Sequence, residues 1–179
     1  MRIRALCLRT GLLIALLGLG GCGFRPVYAK ASGGAAGPAA EGLAEVSVAL
    51  MPERTGQLLR QALQERFERS GLTPAHRYDL NVSFSIVNTS IAIQPDSSNS
   101  RIRFIGTANY QLIAQDPGRT TLTTGTARSV DGMDLYDQQL FGATLETEVV
   151  QQRIAEAVAD EITRQLAVYF DQHATVADR

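Results

Sequence analysis

The sequence predicts an α+β fold, with two helices packed on one face of a mostly antiparallel sheet of about four strands in a two-layer sandwich. Three observations carry this expectation. Several segments alternate apolar and polar residues with the period of a strand, two others repeat apolar residues at the spacing of a helix, and the order is strand, helix, three strands, helix.

The first strand is "AEVSVAL", residues 44–50, where Val46, Val48 and Leu50 point inward and Ser47 and Ala49 outward. After Pro52 the period changes. Leu58, Leu59, Ala62, Leu63 and Phe67 share one helical face, Arg60, Gln61, Gln64, Glu65 and Glu68 take the other, and Ser70-Gly71 ends the helix. From Tyr78, "YDLNVSFSIVNTSI" sets Leu80, Val82, Phe84 and Ile86 against Asp79, Asn81, Ser83 and Ser85, which is a second strand. The polar stretch "QPDSSNS", residues 94–100, reads as a loop and is the segment expected to depend on a partner. "RIRFIGTANYQLIAQ" resumes the alternation through Ile102, Phe104, Tyr110 and Leu112. "DPGR", residues 116–119, is a turn in which Pro117 presets one dihedral and Gly118 accepts the positive one. "TTLTTGTARSV" follows as a further strand, so these three form an antiparallel meander, with the strand near Val46 free to pair at one edge.

The C-terminal helix has the clearest pattern. Val150, Ile154, Val158, Ile162, Leu166 and Phe170 recur every four residues, with Ala155 and Ala159 beside them and Arg153, Glu156, Asp160, Arg164 and Asp171 opposite. Such a broad apolar arc suits burial against a sheet better than a coiled-coil seam. The second face of the sheet must then meet water or a partner.

The bulk numbers narrow the function. The 179 residues suit one domain, with 45% hydrophobic and 20% charged residues. Of 17 basic residues three are Arg2, Arg4 and Arg9, and setting those aside leaves 14 against 18 acidic residues. That balance argues against a nucleic-acid binder working through bulk charge. Cys7 and Cys22 are the two cysteines, and His76 and His173 the two histidines, which leaves no disulfide framework and no imidazole and thiolate set for zinc.

The first residues read as an address. "MRIRALCLRT" is basic, and "GLLIALLGLG", residues 11–20, is an apolar run of the length found in secretory signals. A membrane-spanning helix needs roughly 20 apolar residues, so a permanent span is disfavoured. Leu19-Gly20-Gly21-Cys22 resembles the bacterial lipobox. In lipoproteins with this motif the cysteine thiol receives a diacylglyceryl group, the signal is removed just before it, and the new N-terminus is acylated. The small residues admit the peptidase and the thiol supplies the nucleophilic sulfur. Burial of Cys22 as a small hydrophobe is disfavoured because its glycine neighbours offer no packed segment to join. Acyl chains contribute about 0.8 kcal/mol per buried methylene, so a triacyl anchor is effectively permanent. Gly23 stands where an aspartate would favour inner-membrane retention, which points to the outer membrane. The expected organisation is a signal peptide over 1–21, a lipidated N-terminus and flexible linker over 22–42, an α+β domain over 43–171 and a tail over 172–179.

Catalytic motifs are not found: there is no Gly-x-Ser-x-Gly elbow, phosphate loop, His-Glu-x-x-His or dinucleotide fingerprint. No enzyme activity and no cofactor beyond the covalent lipid on Cys22 is expected. "DGMDLYD" carries Asp131, Asp134 and Asp137 but lacks the order and the terminal glutamate of a calcium loop, so it reads as a polar helix start or turn. His76 falls in a loop before a strand and His173 in a frayed tail, and neither makes a good base. Arg101 and Arg103, two apart on a strand, point to the same face and suit an anionic lipid head group, although a solvated strand end has the same pattern. Arg119 and Arg128 extend this patch if the next strand runs back beside theirs.

A lipobox followed by "CGFRPVY", a small-residue spacer, "GQLLRQALQERF", strands with "YQLIAQ" and "GTARSV", and "LETEVVQQRIAEAVADEITRQLAVYF" resembles the LPS-assembly lipoprotein LptE family, in the form found in alphaproteobacteria. The most specific pieces are residues 22–28, 124–130 and 145–168. The resemblance implies a non-enzymatic, lipid-anchored protein on the periplasmic face of the outer membrane. Family members sit in the lumen of the large β-barrel LptD, forming a plug-and-barrel translocon that delivers lipopolysaccharide to the outer leaflet, and they bind lipopolysaccharide. No basic residue carries over from the family, so the arginines rest on their chemistry alone. The rival is the auxiliary lipoprotein of a lipid-transporting ABC system, and "FRPVY" directly after the cysteine favours the first family.

Overall fold

The computed structural model describes residues 37–72, 74–93, 99–134 and 140–177. Its elements are α1 (Pro38–Ala44), β1 (Val46–Val48), α2 (Glu53–Phe67), a 3-10 turn at Glu68–Ser70, β2 (Tyr78–Ile93), β3 (Asn99–Ala114), β4 (Thr121–Asp134) and α3 (Leu140–Ala177). The fold is α+β, as predicted, with one sheet in the order β1-β2-β3-β4. β1 pairs in parallel with β2, and β2-β3 and β3-β4 are antiparallel. A parallel pair cannot be joined by a tight turn, and α2 supplies the crossover between β1 and β2.

The predicted periodicities place the core. Leu59, Ala62, Leu63 and Phe67 of α2 are buried, as are Val150, Ile154, Val158, Ile162, Leu166 and Phe170 of α3. They pack with Leu80, Phe104, Ala108, Tyr110, Leu112 and Ala127 of the sheet. α2 and α3 run side by side in the same direction, joined by ion pairs Arg54–Glu148 at 3.2 Å and Arg66–Asp160 at 2.5 Å. The Arg66 guanidinium also donates to the Glu156 and Ala62 carbonyls at 3.1 and 2.9 Å, and its hydrogen bond to Asp160 raises its pKa. On β3 the Tyr110 ring covers Gly125 of edge strand β4, where an added Cβ would lie 2.5 Å from the tyrosine oxygen. An aromatic laid across a strand glycine restores the packing that glycine lacks. The Tyr110 hydroxyl then donates to Gln165 Oε1 at 2.7 Å, tying β3 to α3, and burial pushes its pKa up.

Several local expectations need correction. A third helix joins the two expected on the sheet, and it packs chiefly against α3. Residues 38–42, assigned to the flexible linker, belong to α1, where Ala39, Leu43 and Ala44 are buried. Pro38 presets the first turn, and Gly42 lies on the Phe170 ring, where an added Cβ would come within 2.5 Å of Cγ. Small residues that cannot build a core alone can still cap one that α3 has built. Leu50 does not point inward: β1 ends at Val48 and Leu50 is 84% exposed. Asn99 and Ser100 join β3 rather than the loop, whose residues 94–98 lie outside the described ones. The tail assignment at 172 also fails, because α3 continues to Ala177. His173 is helical, stacked on Tyr169 with ring centroids 4.0 Å apart.

The β3-β4 turn also differs from expectation. The positive φ falls on Arg119, at 47°, and not on Gly118. Arg119 N–H donates to the Asp116 carbonyl at 3.0 Å, which closes a turn in which Gly118 keeps a negative angle and the next residue makes the left-handed step. Asp116 clasps the far side, accepting from Thr120 N–H at 3.0 Å and from the Thr120 hydroxyl at 2.9 Å. These bonds to Thr120 hold the Asp116 pKa below the ordinary aspartate value. A depressed carboxylate pKa contributes stability above the unfolded value, and that contribution is lost as pH falls through the folded one. Acidification through the aspartate range and below should therefore release the clasp, seen as a shift of the Thr120 amide resonance that follows Asp116. A Thr120 amide that stays fixed while Asp116 titrates would contradict this role.

Candidate functional site

With α2 and α3 packed on one side, the other side of the sheet is the open surface. Side chains alternate along each strand, so β2 presents Asn81, Ser83, Ser85, Val87 and Thr89 there. β3 presents Arg101, Arg103, Ile105, Thr107, Asn109 and Gln111, and β4 presents Thr124, Thr126, Arg128, Val130, Gly132 and Asp134. The register aligns these into rows. Asn81–Gln111–Thr124 and Ser83–Asn109–Thr126 form two neutral polar rows, followed by Ser85–Thr107–Arg128, Val87–Ile105–Val130 and Thr89–Arg103–Gly132.

The neutral rows line a shallow concavity of about 590 Å³, bordered by Asn81, Ser83, Asn109, Gln111, Thr124 and Thr126. Within it the Thr126 hydroxyl donates to Asn109 Oδ1 at 2.8 Å. Further toward the hairpin end the surface changes character. Val87 and Val130 are 59% and 54% exposed, on either side of the partly buried Ile105. An apolar row across three strands is an exception on a face whose other side chains are amides, hydroxyls, arginines and the Asp134 carboxylate.

The four arginines do not form one patch. Arg101 and Arg103 share the open face, and Arg128 lies on the same face lower on β4, opposite Thr107. Arg119 sits in the turn at the other end of the sheet, ~36 Å along β3 from Arg103 at ~3.3 Å per residue, and pairs with Asp79 at 2.9 Å. Arg101 reaches over Gly132 to pair with Asp134 at 3.1 Å. Arg103 and Arg128 carry no ion pair among the described residues.

The acidic stretch is not a helix start or turn through Asp134, since β4 runs to that residue. Asp131 points toward the helices and pairs with Arg153 at 2.8 Å, while Asp134 holds Arg101 on the open face. Asp137 lies outside the described residues, as do Cys7, Cys22 and the linker before residue 37. Among the described residues no group of three or more histidine, cysteine or acidic side chains is placed to share a metal ion. No helix among them is long and apolar enough to cross a membrane.

The apolar row is hidden in the sequence, because Val87, Ile105 and Val130 each look like an isolated break in one strand's alternation. The signal is that all three are β-branched residues on the polar phase of their own strand. Only the register shows that they are neighbours.

The site belongs to a two-layer α+β domain, with helices on one face of the sheet and a polar, arginine-bearing surface on the other. Its pattern matches the LptE family, described as lipopolysaccharide-assembly, over residues 43–166, and the chain belongs to that family. No curated protein matches it in sequence. Solved structures share the fold. A lipoprotein from Caulobacter crescentus is 19% identical with a TM-score of 0.60, covering 74% of this chain and 95% of its own. A minor lipoprotein from Acinetobacter baumannii is 14% identical with a TM-score of 0.56, covering 69% of this chain and 90% of its own. The rare lipoprotein B from Shewanella oneidensis is 13% identical with a TM-score of 0.52, covering 69% and 92%.

Proposed function

We propose that this chain is an outer-membrane lipoprotein, anchored on the periplasmic face through acylated Cys22, that acts as the plug of an LptD-like β-barrel in lipopolysaccharide assembly and transport to the outer leaflet. The observation that carries this reading is the family match over residues 43–166, which spans most of the two-layer domain. The open face supports it. A sheet surface of amides and hydroxyls can lie against a polar barrel lumen with its hydrogen bonds exchanged rather than lost. Arg101, Arg103 and Arg128 lie together on that face and provide guanidinium groups for lipopolysaccharide phosphates. Arg119, remote and paired with Asp79, is left out of this role. The work is binding and assembly rather than catalysis, and needs no cofactor.

Copurification tests the reading. The lipidated chain, extracted from membranes in mild detergent and captured by a C-terminal tag, should bring down a large β-barrel and lipopolysaccharide. Recovery of inner-membrane transporter subunits without a barrel would overturn the proposal in favour of the auxiliary lipoprotein of a lipid-transporting ABC system.

A further inference from the structure

The row Val87–Ile105–Val130 has no packing purpose within the domain, since it faces away from the core that Phe104 and Ala108 enter from the same strand. It has a particular setting. Arg103 stands one row toward the hairpin end, in the central strand, and Arg128 one row the other way, on β4. Two residues separate successive rows on a face, so the arginines flank the apolar row at a backbone separation of ~14 Å, from ~3.3 Å per residue and ~4.8 Å between strands.

We propose that this part of the open face seats an acylated amphiphile carrying two anionic groups, with acyl chain along Val87, Ile105 and Val130 and one anion at each of Arg103 and Arg128. This deepens the lipopolysaccharide reading above and rests on it. Charge complementarity sets the occupant. The nearby carboxylates are already engaged, Asp131 by Arg153 at 2.8 Å and Asp134 by Arg101 at 3.1 Å, so neither neutralises Arg103 or Arg128. Gly132, the cross-strand partner of Arg103, has no side chain, and the guanidinium that reaches over it is that of Arg101, which pairs with Asp134. Guanidinium groups pair bidentately with phosphate, and each anion would meet one fork with apolar surface between them. A ligand with charge but no chain would leave Val87 and Val130 in water. One with chain but no charge would leave both cations desolvated beneath it, which is costly.

The test compares three probes on the purified full chain: lipopolysaccharide, its chemically deacylated form and its dephosphorylated form. A triple variant, Val87→Thr, Ile105→Thr and Val130→Thr, keeps β-branched residues while making the row as polar as its neighbours. It should bind lipopolysaccharide about tenfold more weakly or worse and bind the deacylated form as the wild type does. The pair Arg103→Gln and Arg128→Gln should weaken both of these and leave the dephosphorylated form unaffected. Val130→Thr alone, on the edge strand, gives a smaller loss of the same kind and guards against misfolding of the triple variant. Unchanged lipopolysaccharide affinity in the triple variant overturns the proposal, and so does loss of barrel copurification with lipid affinity intact, which would assign the row to the barrel wall. A wild-type chain that binds none of the probes would instead remove the lipid-binding part of the proposed function.

Discussion

Gly106→Ala is expected to destabilise the domain by about 1–3 kcal/mol, as overpacked cores do, although alanine is the smallest side chain that can be added. Gly106 lies in mid-strand on the helix face of β3, opposite Ile86 and Ser129. A Cβ there would overlap the Cγ2 methyl of Ile154 and sit 3.3 Å from Phe84 Cε2. That methyl is attached at Cβ of a helical residue and cannot swing away as the end of a long chain would. Glycine normally weakens a strand, and in this position it marks where α3 comes closest to the sheet. A cycle with Ile154→Ala isolates the contact. Ile154→Ala alone should cost about 2–5 kcal/mol as a core truncation, and the double variant should be more stable than the sum of the two by about 0.5–3 kcal/mol. Urea denaturation of the four proteins measures this, and strictly additive costs would show that Gly106 is not held by Ile154. Gly118→Ala is the control, because its Cβ would meet only ordinary contacts, 3.6 Å from Thr120 Oγ1. Its effect should stay within about 0.5 kcal/mol.

Cys22→Ser is expected to abolish acylation altogether and move the protein from the outer-membrane fraction to the soluble periplasmic fraction or to an unprocessed precursor. A serine hydroxyl is far less nucleophilic than a thiolate and does not take the diacylglyceryl group. The consequence is large because the anchor is cumulative: at about 0.8 kcal/mol per methylene, a single chain binds reversibly and several bind for practical purposes permanently. Labelling with palmitate followed by membrane fractionation checks both halves, and a Cys22→Ser chain that still labels would overturn the assignment. The variant also separates anchoring from binding. If the domain acts as a barrel plug, overproduced Cys22→Ser protein that reaches the periplasm should still associate with the barrel, since residues 43–166 carry the family pattern without the anchor.

Elements whose local pattern and tertiary environment agree were visible in the sequence alone. The four-residue repeat from Val150 to Phe170 is buried at every position, and the alternation from Leu80 to Ile86 assigns the helix-facing side of β2. α1 was not visible, because Pro38, Ala39, Ala40 and Gly42 have the composition of a spacer. What makes them a helix is the Phe170 ring beneath Gly42. The Arg119 turn was misjudged for a related reason. Glycine can take a positive φ but need not, and the hairpin register with the Asp116 clasp assigned that angle to the arginine.

The candidate site divides in the same way. Arg101 and Arg103 share a face because two residues in a strand always do, and that needed only the sequence. Whether Arg119 and Arg128 join them depends on where the next strand starts and how it pairs, and this separates the two: Arg128 is on the face and Arg119 is at the far turn. The apolar row depends on register throughout, since Val87, Ile105 and Val130 are remote in sequence and meet across three strands. By itself the sequence determined the fold class and the helix-facing sides of β2 and β3, because periodicity is a local property of a chain. The tertiary structure alone decided which open-face residues are neighbours and which arginines lack a carboxylate partner among the described residues. Those depend on strand register and on ion pairs between elements distant in sequence, which no local pattern encodes.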